Sequence, residues 1–180
     1  FVMLGEVDND ILLMKSNRYG NMEWQQSFGG SQMDIASHIE QASDGGFIIS
    51  ATTESYGQGG KDIWLFKTSS SGLIEWNKYI GTPYDDYSGQ VLETDDGGFI
   101  LIGSRGSSDQ NDNDIWLIKT NSQGDSSWTR SYGGNQFDRG NDILADDQGG
   151  FILLGSTESQ GNGGKDIWLL KVDELSLIHI

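Results

Sequence analysis

The chain has 180 residues, no Cys, one Pro and 26 Gly, and its 27 acids against 11 bases give a net charge of −16. This excludes a disulfide framework and a Cys-based metal site, no apolar run approaches the roughly 18 residues of a membrane span, and the acidic balance argues against a nucleic-acid partner, since phosphate binding needs a basic footprint. Leu, Ile, Val and Phe still make up about a quarter of the chain, above the roughly 20% floor below which a highly charged chain reads as disordered.

The chain opens on the apolar run Phe1-Val2-Met3-Leu4-Gly5, followed by a short loop and a second run, Asp10 to Lys15 (DILLMK). Continuous runs of this length read as strands buried on both faces. Gly20 precedes an alternating segment that puts Met22, Trp24 and Phe28 on one face. A turn at Gly29-Gly30 leads to Asp34 and a further strand over Ile35 to Ala42. The turn Ser43-Asp44-Gly45-Gly46 then supplies the positive φ angles of a hairpin, and at Phe47 the cycle begins again.

From Asp10 onward the pattern recurs at a spacing of 52 residues, the loop from Gly5 to Asp10 being six residues shorter than the one from Ala51 to Asp62. Asp10, Asp62, Asp114 and Asp166 each open the same phrase (DILLMK, DIWLFK, DIWLIK, DIWLLK). Trp24, Trp76 and Trp128 keep the step, as do Trp64, Trp116 and Trp168, so all six Trp fall at repeat positions. Asp34, Asp86 and Asp138 follow, then Gly-Gly-Phe ending at Phe47, Phe99 and Phe151. No segment holds a 3.6-residue period, so no α-helix is expected.

Four strands per unit, two of them buried on both faces, predict an all-β fold: a partial β-propeller of four-stranded antiparallel blades. The expected organisation is one propeller fragment over 1–174, with a leading half blade at 1–15 and blades at 16–67, 68–119 and 120–171. Residues 175–180 (LSLIHI) break the repeat, resemble a translated sequencing adapter, and are expected to be a non-native tail. A partial ring leaves two sheet faces bare, so poor solubility or self-association is expected of the fragment alone.

The phrases DIWLIKTNSQGDSSWTRSYGGNQFD and DDGGFILIGS resemble the tandem repeats of bacterial secreted and cell-surface β-propeller proteins. That resemblance implies an extracellular or cell-envelope location more than an activity. A second similarity is to quinoprotein-type propellers, whose repeats place a Gly four residues before a docking Trp, as in Gly20 with Trp24, Gly72 with Trp76 and Gly124 with Trp128. The acidic residue such repeats carry before the Gly is not at Ser16, Thr68 or Thr120, so only the packing role of Trp is carried over and no quinone is expected.

Nucleophilic catalysis has little material. The two His are His38 and His179, and no Gly-x-Ser-x-Gly elbow occurs. His38 aligns with Gln90 and Asp142, a slot that takes any polar group, and reads as a sheet-surface residue. Asp34, Asp86 and Asp138 recur in every unit and are expected to lock turns by accepting backbone N–H groups. The loop over 107–113 breaks the symmetry. Asp109, Asp112 and Asp114 offer oxygens suited to Ca²⁺, but no Gly turn or distal Glu completes a binding loop, and a solvated turn is the preferred reading.

These readings lead to a non-enzymatic binding or scaffold module of a secreted or surface protein. It would have no catalytic residue and no cofactor beyond a calcium alternative, and its loops would meet a protein or glycan. The alternative is part of a propeller enzyme, hydrolase or quinoprotein-like, with its active site elsewhere.

Overall fold

The computed structural model describes residues 1–109, 112–147 and 149–173, and the backbone of 178–179. No helix occurs among them, so none is long and apolar enough to cross a membrane. Sheet I contains β1 (Val2–Val7), β2 (Asp10–Ser16) and β3 (Met22–Phe28). Sheet II runs β4 (Asp34–Gln41), β5 (Phe47–Thr53), β6 (Asp62–Thr68) and β7 (Ile74–Ile80). Sheet III runs β8 (Tyr87–Glu93), β9 (Phe99–Gly106), β10 (Asn113–Thr120) and β11 (Ser126–Tyr132). Sheet IV runs β12 (Asp138–Ala145), β13 (Phe151–Thr157), β14 (Asp166–Val172) and β15 (Ile178–His179). Each sheet is an antiparallel meander in chain order, as an all-β partial propeller requires. Of the tail at 175–180, only the backbone of Ile178–His179 is described; it pairs with Val172 and Lys171.

Strand alternation gives each sheet two apolar faces, and successive sheets stack face to face. In the seam between sheets I and II, Ile11 and Leu13 meet Phe47, Ile49, Trp64 and Phe66. Between II and III, Ile48, Ile63 and Leu65 meet Val91, Leu101, Trp116 and Ile118. Between III and IV, Ile100, Ile102, Ile115 and Leu117 meet Ile143, Leu153, Leu170 and Val172. The same repeat positions build all three seams. Each sheet therefore has a trailing face, turned to the sheet that follows it, and a leading face, turned to the sheet before.

The first strands β4, β8 and β12 pack on one another and line a single groove, the converging inner edge of the ring. Towards the outer edge the seam is filled by indoles. Trp24 of β3 lies so close to Gly72 of the next sheet that a Cβ there would stand 2.8 Å from the ring. Trp76 stands likewise against Gly124, where a Cβ would be 2.5 Å away. Both glycines have positive φ, at 81° and 76°, so the turn and the close approach each require glycine. Trp128 packs against the III–IV core; Trp64 and Trp116 are buried and Trp168 is partly buried.

In sheets II and III the repeated Lys clasps the hairpin before it. Lys67 Nζ donates to both Asp44 oxygens, at 2.9 and 2.7 Å, and Lys119 Nζ to both Asp96 oxygens, at 3.0 and 2.8 Å. Lys119, with the Thr94 hydroxyl and the Gly98 N–H, holds the Asp96 carboxyl well below the usual carboxylate range.

Candidate functional site

The three first strands are irregular at one height. Pairing to the second strand skips Ser37 between Ala36 and His38, shifts between Ser88 and Val91, and skips Asn141 between Gly140 and Asp142. Such bulges re-aim side chains and leave backbone groups outside the ladder. Here they turn the variable slot His38, Gln90, Asp142 to the groove, together with Ser37, Tyr87 and Arg139. The groove encloses about 600 Å³. A second hollow, lined by Leu4, Gly5 and Glu6, shares Ala36, Ser37 and His38 with it. His38 thus stands between Glu6 on one side and Asp142 on the other.

His38 is not a plain surface residue. Burial pushes its pKa down, opposed by the Asp142 charge and by a backbone hydrogen bond with Val91, and its Nδ1 is buried without a partner. Gln90 in the next sheet makes the corresponding reach, its Oε1 accepting Ile143 N–H at 2.7 Å. The slot therefore links one inner strand to the next while keeping a polar edge in the groove. Asp142 is exposed there.

The repeated acids lie elsewhere. Asp34, Asp86 and Asp138 are almost completely buried. Asp34 Oδ2 accepts Gly30 N–H at 2.9 Å and the Ser55 hydroxyl at 2.8 Å; Asp138 Oδ2 accepts Gly134 N–H and the Ser159 hydroxyl at 2.9 and 2.7 Å. Asp86 accepts Thr82 N–H, the Thr82 hydroxyl and Gly106 N–H. Burial raises the Asp86 pKa, with hydrogen bonds from Thr82 and Gly106 pulling against it and the Asp62 charge adding to it. Each acid also marks where the chain enters a new sheet: Asp34 N–H donates to Asn9 O at 2.7 Å, and Asp86 N–H to Lys61 O at 2.8 Å.

The calcium candidates are only partly brought together. Asp112 Oδ2 accepts the Ser107 hydroxyl at 3.4 Å, and Asp109 N–H donates to Ser107 Oγ at 3.2 Å. Asp114 faces Asp138 across the seam: a Cβ on Gly133 would lie 1.8 Å from one carboxylate and 2.8 Å from the other. Burial and the charges of Asp112 and Asp138 raise the Asp114 pKa. Residues 110 and 111 of that loop lie outside the described residues, among which no group of three or more acids or His is placed to hold a metal ion.

No protein-family model matches this chain, and no curated protein does. Solved structures share its fold. One is an endo-arabinase from Bacteroides thetaiotaomicron, at 10% identity and a TM-score of 0.51 over 96% of this chain and 75% of that one. Another is a mannose phosphorylase from Leishmania mexicana, at 11% identity and 0.52 over 98% and 69%. A third is a proposed exo-beta-1,3-galactanase from Bifidobacterium bifidum, at 17% identity and 0.52 over 92% and 59%. At these identities the likeness shows the fold. It also corrects one expectation: the sequence reading was of a non-enzymatic module, whereas these three structures are all of proteins named as enzymes, so the non-enzymatic reading is withdrawn.

Proposed function

We propose that this chain is part of a carbohydrate-active β-propeller enzyme whose saccharide substrate lies across the axial groove. The observation that carries the reading is the convergence of His38, Gln90 and Asp142, where the repeat varies, on one groove between sheets that are otherwise near copies. A site breaks symmetry where a scaffold keeps it. The fold likeness supports the substrate class, since the names of all three similar proteins refer to saccharides. Glycoside cleavage commonly uses two carboxylates flanking the scissile bond. Glu6 and Asp142 line the two arms of the groove, and Arg139 adds a cation suited to an anionic or phosphate co-substrate. The location inferred from the repeat resemblance, extracellular or cell envelope, belongs to this proposal.

The test is reducing-sugar release, with and without phosphate, from arabinan, β-1,3-galactan and manno-oligosaccharides. One of these should be turned over, and Asp142→Asn should lower the rate by about 10²-fold or more with the melting temperature unchanged. Inertness on all three, or an Asp142→Asn protein as active as the parent, overturns the reading.

A further inference from the structure

One corner of sheet III departs from the repeat at several positions together. Sheets II and IV carry the same residues there: Gly30 and Gly134 in the turn before the first strand, Gln32 and Gln136 two residues on, and Thr53-Glu54-Ser55 and Thr157-Glu158-Ser159 after the second strand. Sheet III has Thr82, Tyr84 and Arg105-Gly106-Ser107 at those places. The changes compensate one another. In sheets II and IV the hydroxyl of Ser55 or Ser159 donates to the buried Asp34 or Asp138. In sheet III the Thr82 hydroxyl takes that place on Asp86 at 2.9 Å, and Ser107 Oγ turns to its own loop, donating to Asp109 O at 3.2 Å. Gly106 gives up the Glu side chain so that the turn at 82–85 can close in: a Cβ there would stand 2.4 Å from Asp85 O.

Between this turn and the β9–β10 loop, at the end of the II–III seam, lies a hollow of about 440 Å³ that shares no lining residue with the axial groove. Arg105 and Asp114 stand directly opposite each other on β9 and β10 and both line it. The Arg105 guanidinium lies over the Trp116 ring at 5.8 Å and makes no hydrogen bond or ion pair among the described residues, so its N–H groups are open to the hollow. Tyr84, 42% exposed, forms part of the wall, with Ser108 and Gln58 at the rim. A fork of N–H donors beside a carboxylate acceptor complements vicinal sugar hydroxyls, whose oxygens accept from the guanidinium and whose O–H groups donate to the carboxylate. The apolar C–H face of a sugar ring fits against an aromatic face. A phosphate or carboxylate ligand would meet the Asp114 charge in a chain of net charge −16, so the hollow suits a neutral ligand. We propose that this hollow is a second saccharide-binding site outside the axial groove, with Arg105 and Asp114 holding vicinal hydroxyls and Tyr84 packing on the ring. The ligand class rests on the saccharide reading of the groove; the site itself rests on the hollow and on the concerted departure of its residues from the repeat. Such a site keeps a polymeric glycan tethered while the groove works on one of its bonds.

The test reads Arg105 directly. The chain has four Arg, Arg18, Arg105, Arg130 and Arg139, so few side-chain Nε–H signals are expected in ¹H–¹⁵N spectra, and Arg105→Thr identifies the one it removes. One of arabino-, β-1,3-galacto- and manno-oligosaccharides should shift that signal saturably, in the parent and in Asp142→Asn alike. Arg105→Thr and Tyr84→Gln give sheet III the residues that sheets II and IV already carry, so both should fold as the parent does. Each should raise the dissociation constant about tenfold, read from the Gly106 amide signal. An Arg105 signal that none of the three sugars moves overturns the proposal. So does one that only inorganic phosphate moves, and so does a dissociation constant unchanged in both variants. The turnover assay separates this site from the groove. Turnover of a glycan with the Arg105 signal unmoved overturns this site alone, whereas a moved signal without turnover upholds it and overturns the reading of the groove.

Discussion

Strands β6 and β14 carry nearly the same residues, DIWLFKT and DIWLLKV, at the same place in the repeat. In β6 every position is buried, whereas in β14 burial alternates and Ile167 and Leu169 stand largely in solvent. The difference lies in what stands beside each strand. Sheet II is covered on both faces, by sheets I and III, and sheet IV on one. An apolar run is thus a capacity for burial, and in a solenoid or propeller the neighbouring unit decides whether it is used.

The largest expected effect tests this contrast directly. Leu65→Ala, in the II–III seam, should cost about 2–5 kcal/mol, whereas the matching Leu169→Ala should cost less than about 1 kcal/mol, both read from urea unfolding. Equal losses at the two positions would break the comparison. A smaller effect sharpens it. Gly5 and Gly103 hold the same repeat position, but a Cβ at Gly103 would stand 2.4 Å from Tyr87 O and 3.1 Å from Ile63 Cδ1, while one at Gly5 meets nothing within 4 Å. Gly103→Ala should therefore lose about 1–3 kcal/mol by overpacking, and thermal melts of Gly5→Ala should match or slightly exceed the parent.

The smallest effect belongs to the exposed clasp. Asp96→Asn should cost less than about 1 kcal/mol at neutral pH, because the Asp96 carboxylate is largely solvated. Since Lys119 depresses the folded carboxyl, the stability it gives is present above the ordinary carboxylate range and is lost as pH falls through the lowered folded value. The gap between parent and variant should close in strong acid, and a gap that widened there would contradict the assigned cause.

Much of the fold was legible because each strand carries its own signal. The strand read over Ile35 to Ala42 is β4 at Asp34–Gln41, and the apolar run Asp10 to Lys15 is β2 at Asp10–Ser16. Asp44-Gly45 and Asp96-Gly97 announced their hairpins through glycines that indeed have positive φ. The groove was not legible. Nothing in the residues Ser37, Gly89 or Asn141 signals a bulge, and the meeting of His38, Gln90 and Asp142 depends on how three sheets converge, which no local pattern encodes. The alignment of those three positions was the available clue, because it marked a strand slot where a regular repeat changes its chemistry.

The indole-on-glycine contacts from Trp24 to Gly72 and from Trp76 to Gly124 also bear on inheritance. The I–II and II–III seams draw these partners from the same offsets, so unequal exchange between copies of the coding repeat adds or removes 52 residues and leaves such a junction with a matched pair. Blade number can drift at little structural cost. The axial side chains travel one per copy, so each such event rewrites the groove while leaving the wall that supports it unchanged.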